Sequence, residues 1–509
     1  MMKANSILLA MSLCMSTTVM AMDEYSTELV IVGSGTAGLT AAAYAESIGI
    51  DTIVLEKLAT PGGQLYLIEG TYAVETPLQA KNMVGKTRAQ SFKEAIEYTD
   101  WKANPRLVKR IVDTSADNLK WLEDAGVAFG TTLVTDTPDG NRVNHTYADH
   151  NPGKQAVDAL SKVIFDNGGK ILTETAGAEL ITNKKGDVVG IYADSEDEGR
   201  IKINADAVLM ATGSIAQNKK LLMKYAPELM VDGEPMKSIS LTSNTGDGVI
   251  MGEKVGAEMA DLGLVIGESF VPRNTLYKEM YSSNTMLDAY MMMKAQSLWV
   301  NFKGERVFDE SLSGDFTKVL NAFKNHGNQG IVIMDDAKRQ DLMEGAGSDT
   351  NYFTMYDRGR KIVNFDKAIK NGEKRGYAFK ANSIEELAKK MGIDVTTLTA
   401  TVSRYNEQAQ KGEDIDFGKK AHFDPLLTPP YYALWGHSTI CDMSGGLKID
   451  HNAQVIGKKG LPIKGLYAAG ATAGGMYGGK YPYINPGFAS ATAIATGRFA
   501  VEHVKSELK

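Results

Sequence analysis

The chain has 509 residues, a formal net charge of −7 at pH 7 and 43 % hydrophobic residues. Its acidity and the lack of a Lys- or Arg-rich run argue against nucleic-acid binding, and no apolar stretch beyond the N-terminus is long enough to span a membrane. Only Cys441 of the two cysteines lies beyond residue 21, so we expect no internal disulfide, and no His, Cys and acid cluster has metal-site spacing. The length suits one large α/β unit with an inserted domain.

The first 21 residues have the pattern of a secretory signal peptide. Lys3 precedes an apolar run from Ile7 to Met15, and residues 19–21 (Val-Met-Ala) form a small-residue cleavage site. The apolar run is short for a membrane span, and an uncleaved anchor is the alternative interpretation. We therefore expect cleavage after Ala21 and Sec-dependent export to the periplasm.

A dinucleotide-binding fingerprint follows this segment. Residues 28–38 read Glu-Leu-Val-Ile-Val-Gly-Ser-Gly-Thr-Ala-Gly, and Glu56 ends the next predicted strand. In this pattern Gly33 allows the tight turn, Gly35 lets the backbone approach a pyrophosphate, and Gly38 lets the helix pack on the sheet. The helix that follows directs its positive end at the phosphates, and a carboxylate at the end of the second strand can bind ribose hydroxyls.

Two later segments are predicted to complete the same domain as the fingerprint. The first is a buried strand at 205–210 that runs into Ala211-Thr212-Gly213. The second is a strand at 465–470, followed by a glycine-rich loop and a long helix from about residue 487 to 506. We therefore expect residues 22–265 and 441–509 to form one nucleotide-binding domain.

The intervening residues 266–440 have elements of their own. Strands are predicted at 298–301 and 331–336. One helix is predicted to start at the capping box of Ser383, and another, capped by Asp394, to run from residue 395 to 408. We expect this stretch to be an inserted α+β domain that closes over the nucleotide domain.

Together these segments resemble the flavoprotein family of fumarate reductases, flavocytochromes c and 3-ketosteroid dehydrogenases. The resemblance spans nearly the whole chain after residue 21, and its further markers are Glu56-Lys57, Gly62-Gly63, Thr245-Gly246-Asp247-Gly248, residues 299–306 and Ser444-Gly445-Gly446. It implies an α/β fold: a Rossmann-like, glutathione-reductase-like FAD-binding domain with an inserted capping domain. FAD would be extended, with its isoalloxazine at the junction of the two domains.

The resemblance also implies how FAD is held. The stretch from Gly62 to Gly70 has no histidine to form the family's covalent flavin link, so we expect non-covalent FAD. The start of the long helix, at 486–490, would face the flavin pyrimidine edge and stabilise the anionic reduced flavin. One residue differs from the family pattern: an acid usually follows the glycine at the end of the last strand, Gly470, and this chain has Ala471 there. The residues expected to contact FAD are Gly33, Gly35, Ala37, Gly38, Glu56, Lys57, Gly62, Gly63, Gln64, Ala178, Thr212, Gly213, Asp247, Gly470, Gly487 and Ser490.

The positions that bind fumarate in the family carry other residues here. Laid on that pattern, two histidines become Glu268 and Asp442, and the proton-donating arginine becomes Met293 or, with a one-residue slip, Lys294. Two carboxylates in a poorly solvated pocket would repel a dianion, so we expect a substrate other than fumarate. Each of these residues also has a structural alternative: Glu268 can pair with a cation, and Lys294 can be a surface lysine.

The remaining arginine, in the glycine-rich loop over the flavin, becomes Tyr481 or Ile484, depending on where the gap is placed, and the loop is rich in tyrosine. Tyr483-Ile484-Asn485-Pro486-Gly487 resembles the Tyr-x-x-Pro-Gly of 3-ketosteroid dehydrogenases, in which the tyrosine and glycine polarise a substrate carbonyl. A tyrosine at 483 can donate a hydrogen bond or a proton to the reacting group, or it can merely pack the loop. Lys480 can lower the pKa of a neighbouring tyrosine, or it can be solvated. The candidate catalytic residues are Tyr483, Lys294, Glu268, Asp442 and Lys480.

Three functions remain open from the sequence. The first is a periplasmic reductase of anaerobic respiration that saturates an activated C=C bond, such as that of an enone or of an aromatic or monoanionic enoate. Because the chain has no haem motif and no second dinucleotide fingerprint, its electrons would come from a small c-type cytochrome. The second is a ketosteroid-like dehydrogenase that runs the hydride transfer in reverse. The third, an electron-transfer flavoprotein without a small-molecule substrate, is disfavoured because a closing domain serves to exclude water around a substrate.

Overall fold

The computed structural model describes residues 22–134, 141–148, 152–231, 234–238, 240–275, 279, 282–313, 316–345, 361–482 and 484–508. The predicted signal peptide and Tyr483 lie outside these ranges. Within them, no helix is both long and apolar enough to cross a membrane.

The larger sheet is built around parallel strands from distant parts of the chain. Its eight strands are β1 (Glu24–Val32), β2 (Thr52–Leu55), β6 (Lys170–Leu172), β7 (Thr175–Thr182), β8 (Val188–Ser195), β9 (Gly199–Met210), β17 (Gln454–Ile456) and β18 (Pro462–Ala468). The order is β17-β18-β9-β1-β2-β6, and β7 and β8 extend antiparallel from β9. Val208 pairs with both Val30 and Leu466. The three predicted segments therefore lie side by side, and the α/β fold is confirmed.

Helices cover this sheet, because its central strands are apolar on both faces. Residues 29–32 of β1 and 52–55 of β2 are all buried. Close contact between two helices depends on Gly497, where an added Cβ would lie 2.7 Å from the carbonyl oxygen of Ala37. The helices in the described part of the chain are α1 (Thr36–Ser47), α2 (Pro77–Lys81), α3 (Arg88–Tyr98), α4 (Pro105–Asp113), α5 (Ser115–Asp124), α6 (Pro152–Asp166), α7 (Lys219–Tyr225), α8 (Asp247–Lys254), α9 (Asn284–Met292), α10 (Phe316–Lys324), α11 (Asp336–Glu344), α12 (Phe365–Arg375), α13 (Ile384–Met391), α14 (Val395–Lys411) and α15 (Phe488–Glu507).

A second sheet has six strands: β12 (Met259–Pro272), β13 (Leu298–Val300), β14 (Gln329–Met334), β15 (Ala378–Ala381), β16 (Tyr431–Lys448) and β19 (Ala473–Gly474). The long strand β16 pairs with β12, β14, β15 and β19. The predicted boundaries after residues 265 and 440 fall inside β12 and β16, so both strands run from one region into the other. Two small sheets are formed by β3 (Gly70–Tyr72), β4 (Phe129–Val134) and β5 (Asn144–Tyr147), and by β10 (Met230–Val231) and β11 (Glu234–Pro235).

A buried charge cluster lies in the region around the six-stranded sheet, which is called the second region below. Arg306, at the end of the 299–306 marker, bonds to Glu310 (2.7 Å) and Asp414 (2.8 Å), and Lys419 lies 3.4 Å from Glu310. Burial acts to raise the pKa of Asp414, but hydrogen bonds from Arg306 outweigh it and hold that pKa at about 2. The marker therefore has a structural role in this chain.

Candidate active site

The glycines of the fingerprint serve two different purposes. Gly33 has φ +102°, and a Cβ there would lie 2.4 Å from the carbonyl oxygen of Ala211. A Cβ on Gly38 would lie 1.9 Å from the Gly33 oxygen. Both residues are therefore required by the packing of the chain itself, with Ala37 buried in the same turn. A Cβ on Gly35 would meet no atom within 4 Å, so the backbone at Gly35 faces open space at the start of α1.

The carboxylate of Glu56 is fixed beside this turn. It accepts hydrogen bonds from the backbone N–H of Ser34 (3.1 Å), from the Ser34 hydroxyl and from the N–H of Leu58 (2.9 Å). Glu56 is buried at the end of β2. This is the position at which the fingerprint expects a ribose-binding acid.

A second group of predicted residues meets next to Glu56. The Lys57 ammonium lies 2.8 Å from Asp247, in the first turn of α8, and the Thr212 hydroxyl accepts from the N–H of Gly248 (3.0 Å). Ala178 falls where the register of β7 and β8 shifts. Ala178 therefore has no directly opposite residue in that pair of strands.

Gly62, Gly63 and Gln64 lie on the other side of the turn. Gly62 and Gly63 both have positive φ, +122° and +50°, and a Cβ on Gly63 would lie 3.2 Å from the Cα of Gly35. The Gln64 side-chain oxygen accepts from the amide of Asn244 (2.9 Å). The segment around residue 62 is therefore packed directly against the glycine turn of the fingerprint, at residues 33–35.

The start of α15 has polar atoms that need a partner. Gly487 has φ +80°, and a Cβ there would lie 2.6 Å from the Asn144 side-chain oxygen. Among the residues described, the Asn144 Oδ1, Thr71 Oγ1 and Asn485 Nδ2 atoms are buried and accept or donate no hydrogen bond. Ser490, also buried, lies in the first turn of the helix. These orphaned atoms fit a ligand with a polar edge, such as the pyrimidine side of a flavin.

The closing strand supplies one more predicted contact. Gly470 has φ +63°, and its N–H donates to the Thr496 hydroxyl of α15 (3.0 Å). A Cβ at Gly470 would lie 3.0 Å from the Cβ of Ala37. Gly470 therefore keeps the end of β18 in contact with both α1 and α15.

Asp442 is the best-defined candidate for substrate chemistry. Its Oδ1 accepts hydrogen bonds from Ser214 (2.7 Å) and Ser240 (2.9 Å), with Asn244 at 3.5 Å. Burial raises the pKa of Asp442 to about 6, against the hydrogen bonds, which lower it. Because Ser214 follows Gly213 and Asn244 contacts Gln64, Asp442 is linked to two of the predicted flavin-binding segments.

The other candidates differ in what the structure says of them. For Glu268 the structure describes the backbone, which pairs with Ile440 on β16, two residues from Asp442. Lys294 is buried, not a surface lysine, and its ammonium lies 4.6 Å from the centre of the Tyr290 ring. Tyr483 is outside the described residues.

The geometry favours the solvated alternative for Lys480. Its ammonium pairs with Asp100 at 2.5 Å, and both side chains are exposed. Lys480 therefore lies in a surface ion pair. Burial raises the pKa of nearby Tyr477 well above its ordinary value. Tyr477 is packed against Tyr481 and Phe488, with ring centres 5.5 and 6.3 Å away.

Tyr481 has a structural partner, since its hydroxyl accepts a hydrogen bond from the N–H of Ala489 (2.9 Å) in the first turn of α15. We expect Tyr481→Phe to lower the free energy of unfolding by about 1 kcal/mol, the usual effect of losing a helix cap. Urea denaturation of the purified protein measures this. Lys480→Gln is the control, because it removes only a surface ion pair; equal stability of the two variants would contradict the capping role.

Several residues of this site were not singled out from the sequence. Ser240 and Asn244 surround Asp442, and Asp261 accepts from the N–H groups of Gly475 (2.8 Å) and Tyr477 (3.1 Å), which fixes the glycine-rich loop. Asn244 directly precedes the family marker at residues 245–248, and this proximity could have pointed to it from the sequence. The other two have no local pattern, because their partners are about 200 residues away.

Comparison with known proteins agrees with this geometry. The FAD-binding-domain family matches residues 28–483, which is most of the chain. The chain belongs to this family of FAD-binding oxidoreductases. It is 30 % identical over 494 residues to vinyl phenol reductase of Lactiplantibacillus plantarum, covering 94 % of this chain and 96 % of that protein. It is 28 % identical to urocanate reductase of Eggerthella lenta, covering 89 % and 70 %.

A solved structure with the same architecture is the open conformation of a flavocytochrome c3 fumarate reductase. The TM-score is 0.69 at 26 % identity, covering 95 % of this chain and 78 % of that one. The FAD cofactor that the family resemblance implied is confirmed by the family match, and the orphaned polar atoms at α15 and the open space at Gly35 fit it. Its two ends would be held by the Glu56 and Lys57 region and by the start of α15.

Proposed function

We propose that this protein is an FAD-dependent reductase that saturates an activated C=C bond of an uncharged or aromatic substrate. The observation that carries the proposal is the similarity, over nearly the full length of both chains, to vinyl phenol reductase. The similarity to urocanate reductase also supports reduction of a C=C bond. The loss of the fumarate-binding cations supports a substrate without two carboxylates.

The bound flavin supplies the hydride, and the chain supplies the rest of the site. Asp442 gives the pocket a carboxylate where the family pattern has a cation, and it disfavours anions. Tyr483 and Lys294 are proposed to hold and deliver the proton that the alkene receives. The second region, with β12 and β16 crossing to the first, excludes water from the reacting carbons.

We propose a periplasmic c-type cytochrome as the electron donor. The predicted signal peptide supports export, and the flavocytochrome similarity supports a haem partner. The desaturating dehydrogenase remains the second candidate, and it rests on the Tyr-x-x-Pro-Gly pattern at residues 483–487.

The test is anaerobic reoxidation of the full-length, FAD-loaded protein after reduction with a viologen. We expect one unsaturated class among vinyl phenols, cinnamates, urocanate, acrylates and 3-keto-enones to reoxidise the flavin. Tyr483→Phe should slow this step about 100-fold or more, because a positioned acid contributes at least that factor.

Tyr481→Phe is the matched control, since its hydroxyl caps α15 and should leave the substrate profile unchanged. Bleaching of oxidised flavin by a saturated ketone, with no reoxidation by any alkene, would replace the reductase by the dehydrogenase. Reduction by NADH at the rate seen with a reduced c-type cytochrome would contradict the proposed donor.

A further inference from the structure

A chain of hydrogen bonds fixes one buried amide group just before α15. The Tyr72 hydroxyl donates to the Ser91 hydroxyl (2.6 Å), which in turn donates to Oδ1 of Asn485 (3.3 Å). Asn485 is fully buried. Because the single hydroxyl proton of Ser91 is directed at Oδ1, the amide nitrogen Nδ2 of Asn485 points away from Ser91. The two N–H groups on this nitrogen are therefore held in one direction.

This amide nitrogen has no hydrogen-bond partner among the residues that the structure describes. The backbone of Asn485, by contrast, is satisfied: its N–H donates to the Pro482 carbonyl (3.0 Å), and its own carbonyl accepts from the N–H of Phe488 (3.2 Å). A buried donor without an acceptor destabilises the folded chain and is rare in native proteins. The Asn485 side chain therefore points to an acceptor on a ligand.

A complementary acceptor lies against Gly487. Oδ1 of Asn144 is also buried without a partner in the described part of the chain, and a Cβ on Gly487 would lie 2.6 Å from it. Asn144 pairs with Tyr72 in the small sheet, and the Tyr72 N–H donates to the Gly487 carbonyl oxygen (3.2 Å). The donor of Asn485 and the acceptor of Asn144 are thus both placed at the start of α15, yet they do not bond to each other.

We propose that Asn485 and Asn144 bind the imide edge of the flavin, where a carbonyl group stands next to an N–H group. Asn485 donates to the C2 carbonyl oxygen, and Asn144 accepts from N3–H. A donor together with an acceptor matches this edge, whereas the free N–H groups at the start of a helix supply donors alone. The inference concerns the cofactor and holds for a reductase and for a dehydrogenase alike.

The contact from Asn485 raises the reduction potential of the flavin. Reduced flavin in its anionic form carries its negative charge at N1 and at the C2 carbonyl oxygen, and a hydrogen bond to a charged acceptor is stronger than one to a neutral acceptor. The Asn485 amide therefore stabilises reduced FAD more than oxidised FAD. Ser91 acts only through Asn485, so it is a positioning residue. N3–H is present in both states of the flavin, so Asn144 contributes mainly to the affinity for FAD.

The first experiment measures the reduction potential of FAD bound to the full-length protein, by equilibration with a reference dye in the absence of substrate. We expect Asn485→Leu to lower the potential by at least about 30 mV, which is a tenfold loss of preference for the reduced state in a two-electron couple. Ser91→Ala should lower it by a smaller amount, because the amide remains but is no longer held. An unchanged potential in FAD-loaded Asn485→Leu would overturn the inference, because an amide that faces only the substrate cannot affect this measurement.

Asn406→Leu is the matched control for the loss of an asparagine. The Asn406 amide lies on α14 in the second region, where Nδ2 donates to the Leu426 carbonyl (2.8 Å) and Oδ1 accepts from the Leu426 N–H (2.7 Å). This variant should lose stability and keep the flavin potential. A shift as large as that of Asn485→Leu would show that weakened packing alone changes the potential, and it would overturn the inference.

The second experiment tests the contact of Asn144. The apoprotein is titrated with FAD and with 3-methyl-FAD, in which a methyl group replaces the hydrogen on N3. We expect the unaltered chain to bind 3-methyl-FAD at least about 10-fold more weakly, and this difference to shrink in Asn144→Ala, where the acceptor is removed and space is left for the methyl group.

Equal affinity of the unaltered chain for the two flavins would overturn the inference. A difference that Asn144→Ala leaves undiminished would do the same, because the methyl group would then be excluded by some other part of the site. If Asn485→Leu does not bind FAD, the comparison of the two flavins in the unaltered chain decides.

Discussion

Replacing Gly35 by alanine is expected to weaken FAD binding by at least about 10-fold while leaving the apoprotein folded. A Cβ at this position meets no protein atom within 4 Å, and its φ is not in the left-handed region. The new methyl group therefore affects only a ligand that approaches the backbone there, and a loss of about 1.4 kcal/mol of binding corresponds to a factor of ten. Equilibrium titration of the apoprotein with FAD measures the change.

Two further variants, Gly38→Ala and Gly85→Ala, are the controls for this experiment. A Cβ on Gly38 would overlap the Gly33 carbonyl, so this variant should lose both stability and FAD, whereas Gly85 has no neighbour within 4 Å and lies outside the fingerprint. We expect Gly85→Ala to bind FAD as the unaltered protein does. If Gly35→Ala retained full affinity, the pyrophosphate would not lie at this turn.

Replacing Arg306 by methionine is expected to lower the free energy of unfolding by about 3–5 kcal/mol, because it leaves buried carboxylates without their cation. Glu310 and Asp414 are both fully buried partners of this guanidinium. Urea denaturation at neutral pH measures the loss. Arg404→Met is the matched control: its pair with Asp416 is exposed, so its unfolding should change far less. Equal effects of the two variants would mean that the buried cluster does not hold the second region.

The same cluster gives the protein an acid-dependent stability. The pKa of Asp414 falls from an ordinary 3.8 to about 2 in the folded chain. A lowered folded-state pKa contributes stability above pH 3.8 that is lost as the pH falls toward 2. In Arg306→Met this contribution should shrink, so stability should depend less on pH between about 4 and 2.

Local patterns in the sequence predicted much of the fold. The glycine turn, its strand and its helix are set within about 30 residues, and the cap positions Ser383 and Asp394 start α13 and α14 as expected. The predicted strand at 331–336 is shifted by two residues, since β14 runs from Gln329 to Met334 and Asp335 caps α11. An acid at such a boundary can be the last residue of the strand or the cap of the next helix. Which of the two it becomes depends on where the pairing with the neighbouring strand ends.

The catalytic candidates were less predictable from sequence. Lys480, expected either beside a tyrosine or in solvent, pairs with Asp100, 380 residues away along the chain. Asp442 was picked by resemblance, but its partners Ser214 and Ser240 are more than 200 residues distant. The sequence near a residue does not show which side chains a distant segment will place beside it in the fold.

By itself the sequence determined the cofactor, the family and the order of many elements, because glycine turns, strand ends and helix caps are decided by neighbours in the chain. The tertiary structure alone decided which polar groups face one another. Pairing of β12 with β16 and of β9 with β1 and β18 brings Asp442, Gln64 and Gly213 to one place. Burial there, and not residue type, raises the pKa of Asp442.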